Sequence, residues 1–130
     1  MAGATRDAGE QRSGMSPQVF QILLSLVDRD LHGYALIQDI RRRTDGEIAL
    51  TASTLYAAVK RLLASTWIEE VEFRTPPAGH DSRRRYYRIT PQGNAAARQE
   101  ALRLERLTAM ARDKRLLGSL RTTPQPKGSR

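Results

Sequence analysis

No cysteine occurs among the 130 residues, which excludes disulfides and thiolate metal sites and suits a reducing, intracellular compartment. No long apolar run occurs either. The longest, Val19 to Val27, is broken by Gln21 and Ser25 and falls far short of the ~20 residues of a membrane span. The opening residues, MAGATRDAGEQRSG, lack the apolar stretch of a signal peptide. Histidine is scarce. His32 and His80 stand far apart, each beside glycine or aspartate in a turn-like segment. No Ser/His/Asp or Glu/His spacing suggests a shared catalytic site, and neither a glycine-rich phosphate loop nor metal-ligand spacing is present. Glu69, Glu70 and Glu72 cannot all share one strand face, so a working carboxylate pair is not suggested. These absences lead us to expect a soluble, cytoplasmic protein that is not an enzyme and has no cofactor, metal site or membrane partner.

Positive charge, by contrast, is plentiful. Lys and Arg number 22 against 14 Asp and Glu, a net charge of +8 with a pI near 10.8. Such a balance favours a polyanionic partner, above all nucleic acid. The charge is also uneven: between Arg74 and Arg88 there are five arginines and one aspartate. The stretch DSRRRYYRIT, Asp81 to Thr90, is the densest part. By composition alone it reads either as a solvated charge run or as a basic finger against something negative.

Residues 1–14 show no periodicity and read as a disordered arm. Ser16-Pro17 has the form of an N-cap with proline at the first helical position. Phe20, Leu23, Leu24 and Val27 then follow at helical spacing, predicting a first helix to about Arg29. The turn Asp30-Leu31-His32-Gly33 leads to a second helix with Leu36, Ile37 and Ile40 as its buried stripe. Its end, Arg41-Arg42-Arg43, suits the negative pole of the helix dipole and reads as helix-end solvation. Thr51 caps a third helix that ends near Ser65. At about 100° per residue, Leu55, Val59, Leu62 and Leu63 gather on one side of it. Ser53, Thr54, Ala57, Lys60, Arg61 and Ala64 gather on the other, with Tyr56 on the flank. That second face is short-chained and cationic, as a helix in a DNA major groove needs, though a plain solvated face would look the same.

Trp67 to Phe73 and Arg84 to Ile89 are rich in strand formers, and RTPPAGHDS between them reads as a hairpin loop. Tyr87 and Ile89 should share one strand face, Tyr86 and Arg88 the other. Trp67 reads as wing–helix core, with an effector-stacking role as the alternative. Thr90-Pro91 repeats the cap-plus-proline signal and opens a fourth helix, striped by Ala97, Ala101, Leu104, Leu107 and Ala111. Three helices followed by a two-stranded hairpin is the order of a winged helix-turn-helix: a mainly α chain with a small β-hairpin (α+β) and a C-terminal helix. In that order the arginines at 83–85 lie at the root of a wing, where a phosphate backbone or minor groove passes. Position, rather than composition, tips DSRRRYYRIT towards a DNA contact.

HGYALIQDI, STLYAAVKRLLAS and RRRYYRITPQG, in that order and at fitting intervals, closely resemble the PadR family of bacterial transcriptional regulators. The resemblance spans about Met15 to Leu107. It implies a repressor of the short subfamily that binds an operator in double-stranded DNA and is often released by a small-molecule effector. It also implies a homodimer formed largely through the fourth helix. The expected layout is a disordered arm at 1–14, a DNA-binding winged helix at 15–90, a dimerisation helix at 91–117 and a disordered basic tail at 118–130. The expected DNA contacts are Ser53, Thr54, Tyr56, Lys60, Arg61, Arg83, Arg84 and Arg85. The dimer contacts are Ala97, Ala101, Leu104, Leu107 and Ala111, and nucleoid association would follow from the function. Two rival readings are a winged helix used for protein–protein contact and a non-specific nucleoid-type binder. One departure stands out. Thr66 occupies the place after the third helix where the family usually has glycine, so either this helix ends differently or Thr66 takes a left-handed conformation that costs a β-branched residue on the order of 1 kcal/mol or more.

Overall fold

The Ser16 side chain accepts a hydrogen bond from the Val19 N–H at 3.1 Å, and Pro17 follows at the first helical position, so α1 runs Pro17–Leu26. The computed structural model describes residues 15–72 and 85–118. After α1 come β1 (Leu31–His32), α2 (Gly33–Arg43), α3 (Ala52–Ala64), β2 (Ile68–Val71), β3 (Tyr86–Ile89) and α4 (Pro91–Asp113). The expected arm at 1–14, His80, Arg83, Arg84 and the tail beyond 118 lie outside the described residues. The chain divides into two compact units, Met1–Glu100 and Ala101–Arg130. Among the described residues, no helix is long and apolar enough to cross a membrane.

In the first unit the three strands form one antiparallel sheet in the order β1-β3-β2. Ile68 pairs with Ile89, Glu69 with Arg88, Glu70 with Tyr87 and Val71 with Tyr86. As expected from the pleat, Tyr87 is buried while Arg88 is exposed. The segment at Leu31-His32, read from the sequence as a turn, instead adds the third strand opposite Tyr87 and Tyr86. His32 also caps α2: its Nδ1 accepts from the Ala35 N–H at 3.2 Å, and its ring meets Tyr86 edge-on at 5.2 Å.

The core joins Ile22, Leu23 and Leu26 of α1, Leu36 and Ile40 of α2, and Leu55, Ala58, Val59 and Leu62 of α3. Ile68, Tyr87 and Ala97 complete it. Each fully buried Leu or Ile contributes about 1.5–3 kcal/mol relative to exposure. Two expectations change here. The α1 stripe is turned from the one expected: Ile22 and Leu26 are buried, while Phe20 and Leu24 are half-buried and Val27 is exposed. Seven apolar residues between Val19 and Val27 fit more than one stripe, and only tertiary packing selects among them. Ala97, read as a dimer contact, is already committed to the chain's own core.

The arginines ending α2 do more than solvate it. Asp39, buried, accepts from the Ser25 hydroxyl at 2.7 Å, from Arg42 at 2.8 Å, and from Arg29 and Arg43 at 3.0 Å each. Arg43 also reaches Ser25 and both the side chain and carbonyl of Gln21, tying α2 to α1. Burial opposes ionisation of Asp39, but the Ser25 hydroxyl and the Arg43 and Arg29 guanidiniums outweigh it, holding the carboxyl below its ordinary range.

At the end of α3, Trp67 N–H donates to the Leu62 carbonyl and Thr66 N–H to that of Leu63, with Thr66 left-handed at φ 60°. This is the glycine-type termination, carried out by threonine. The Thr66 carbonyl then accepts from the Thr90 hydroxyl, which itself accepts from the Gly93 N–H at 3.0 Å and so caps α4.

In the second unit α4 continues to Asp113, and Arg115, at φ 64°, closes it with the Leu116 N–H on the Ala111 carbonyl. Ala101, Leu102, Leu104, Leu107 and Met110 are exposed and Ala111 is half-buried.

Candidate nucleic-acid interface

Thr51 sets the start of α3. Its Oγ1 accepts from the Thr54 N–H at 3.1 Å and donates to the Thr54 hydroxyl at 3.0 Å, leaving the Thr54 proton free to donate outward. The Ser53 hydroxyl lies 3.4 Å from the same Thr51 oxygen. Ser53, Thr54, Ala57, Lys60, Arg61 and Ala64 are all exposed, while Leu55, Ala58, Val59 and Leu62 are buried. Half the helix surface thus holds the core, and the other half offers two hydroxyls at the positive helix end and two cations further along. The helix contains no acidic residue. Short side chains let its backbone approach a partner, and the amino-terminal dipole favours an anion.

Tyr56 sits on the flank, 47% exposed. Its phenol lies over the first residue of α2, so close that a Cβ on Gly33 would come 2.1 Å from Oη. Two of the sequence motifs therefore meet: glycine at 33 leaves the space that tyrosine at 56 fills.

The wing root is more neutral than its sequence suggests. Arg85 donates to a Glu70 carboxylate oxygen at 2.7 Å, and this partner raises its pKa. Arg88 grips both carboxylate oxygens of Asp30, at 2.8 and 3.2 Å, and is raised likewise. Burial pushes the Tyr87 phenol up, the neighbouring Tyr56 and Glu70 push it further, and Arg85 opposes them. So Tyr56, Glu70 and Arg85 all act on Tyr87.

Of the eight expected DNA contacts, Ser53, Thr54, Lys60 and Arg61 lie on one exposed helix face with Tyr56 beside it. Arg85 is set apart by its acidic partner, and Arg83 and Arg84 lie outside the described residues. Trp67 is half-buried against the core, its backbone bonded to Leu62 and Thr90. The sequence reading missed Glu70, because the Glu70–Arg85 pair depends on strand register. It also missed Asp39, for which the three- and four-residue spacings to Arg42 and Arg43 were an available signal.

The profile of the transcriptional regulator PadR-like family matches residues 22–99. An uncharacterized protein of Lysinibacillus sphaericus is 35% identical over 74 residues, 57% of this chain and 65% of that protein, so the chain spans just under two thirds of that relative. A transcriptional regulator from Clostridium thermocellum is 33% identical with a TM-score of 0.61, over 75% of this chain and 87% of that one. A PadR family transcription regulator from hypervirulent Clostridium difficile, 21% identical, shares the fold with a TM-score of 0.64 over 75% and 97% of the two chains. The profile match covers more than half of the sequence, with HGYALIQDI, STLYAAVKRLLAS and RRRYYRITPQG inside it. The chain belongs to the transcriptional regulator PadR-like family.

Proposed function

We propose that this protein is a sequence-specific DNA-binding repressor, acting as a homodimer whose grip on its operator is altered by a small-molecule effector. In this reading residues 15–90 bind DNA, α3 lies in the major groove, and Ser53 and Thr54 meet base edges. Tyr56, Lys60 and Arg61 contact phosphate, and the arginines at 83–85 bring the wing against backbone or minor groove. Helix α4, Pro91–Asp113, joins two protomers through Ala101, Leu104, Leu107 and Ala111. One observation carries the reading: an exposed α3 face of small hydroxyls and cations with no acid among them. Family membership supports the regulatory role, and repression and effector control rest on the family resemblance.

Genomic footprinting followed by gel shifts on the recovered site tests the proposal. A discrete site upstream of the protein's own gene, bound more tightly than random duplex, is expected. Transcription from that promoter in vitro should fall as protein is added. Equal affinity for every duplex would favour a nucleoid-type binder, and no duplex binding at all would favour a protein–protein module.

A further inference from the structure

Strand alternation puts Arg85, Tyr87 and Ile89 on one face of the wing, and Glu70 joins them through its pairing with Tyr87. The Arg85–Glu70 pair is open to solvent, with side chains 72% and 42% exposed. Exposed pairs of this kind are weak and exchange readily. Glu70, like Tyr56 on the flank of α3, also acts on the Tyr87 phenol. An acid is therefore bound to one of the wing arginines that the proposed function assigns to DNA.

We propose that Glu70 is a charge brake on DNA binding: it holds Arg85 in the free protein and competes with DNA phosphate for that guanidinium. The inference rests on the DNA-binding reading above and adds a residue that limits sequence-independent affinity. Phosphate and carboxylate present the same acceptor geometry to arginine. A backbone phosphate arriving at Arg85 must either displace Glu70 or share the guanidinium with it, two anions side by side. Either way the net gain from one phosphate contact is reduced. Glu69 is the internal control. It sits on the opposite face, across from Arg88, which is held by Asp30. Neutralising Glu69 removes the same formal charge without freeing Arg85.

The test measures binding of random-sequence duplex by fluorescence anisotropy over a salt series. The proteins are the full chain and its Glu70→Gln, Glu69→Gln, Arg85→Ala and Glu70→Gln/Arg85→Ala variants, each checked for an unchanged melting transition. Glu70→Gln should bind roughly three- to tenfold more tightly and steepen the log–log salt slope by ~1, the size of one phosphate contact. Glu69→Gln should stay within about twofold of the parent, and Arg85→Ala should abolish the gain in the Glu70→Gln background. Weaker binding by Glu70→Gln would make Glu70 an aid that orients Arg85, and an equal gain by Glu69→Gln would reduce the effect to net charge. Either result overturns the brake while the DNA-binding reading stands. Folded variants that bind no duplex, the parent included, would sink both.

Discussion

Gly93 lies against the backbone of Trp67, so close that a Cβ on it would stand 2.0 Å from the Trp67 carbonyl oxygen. That oxygen already accepts from the Thr90 N–H at 3.0 Å, so it cannot easily move aside. The first turn of α4 is thereby set on the junction of α3 and β2. Gly93→Ala should destabilise the fold by about 3 kcal/mol, at the upper end of what overpacking costs, because the obstacle is main chain. Urea denaturation with unchanged m-value measures it. A loss below about 0.5 kcal/mol would mean the junction relaxes freely.

Thr66 is the opposite case, a side chain where glycine would be easier. Thr66→Gly should raise stability by about 1 kcal/mol, or melting by roughly 4–8 °C. The substitution also removes the Thr66 hydroxyl bond to the Ser65 carbonyl. A fall in melting temperature would show that this bond outweighs the left-handed strain.

Asp39 gives the fold an acid limit. Its folded pKa is held below the ordinary 3.8, so the unfolded chain binds more protons in that range. The stabilisation is complete above the unfolded value and is lost as pH falls through the lower folded one. Asp39→Asn should cost about 1–3 kcal/mol at neutral pH and flatten the acid limb of the stability curve. Parallel urea titrations from pH 7 to pH 3 check this. Parent and variant curves that keep a constant separation would exclude the carboxyl as its source.

Leu104 and Leu107 are exposed on α4, at 37% and 46%. If they meet a second protomer, replacing both with glutamate should yield monomers in sedimentation at concentrations where the parent is dimeric. A variant that stays dimeric would move the interface elsewhere.

Local chemistry made much of this fold legible. The Ser16, Thr51 and Thr90 caps each satisfy a first-turn N–H within three residues, so sequence alone places the helix starts. The α3 faces followed from period 3.6, and at Thr66 the structure decides between a different helix end and a left-handed threonine in favour of the second. What was hidden depends on long-range placement. A two-residue strand at Leu31-His32 carries no periodicity and exists only because β3 lies beside it. Ala97 belongs to a stripe that serves the core at one end and lies exposed further along, a change no helical pattern announces. Arg85 looked like a free cation until the hairpin register brought Glu70 to it.

In the proposed complex Ser53 and Thr54 read bases while Lys60 and Arg61 hold the backbone. Competition binding against every single-base variant of the footprinted operator tests it, using Ser53→Ala, Thr54→Ala, Lys60→Ala and Arg61→Ala proteins of matched melting temperature and oligomeric state. The hydroxyl variants should lose ~1–3 kcal/mol on the operator and relax preference at a few base positions. The cation variants should weaken operator and random duplex alike, each lowering the salt slope by ~1. Altered base preference from the cation variants, with the hydroxyl variants merely weaker at all positions, would contradict the assignment of reader and anchor.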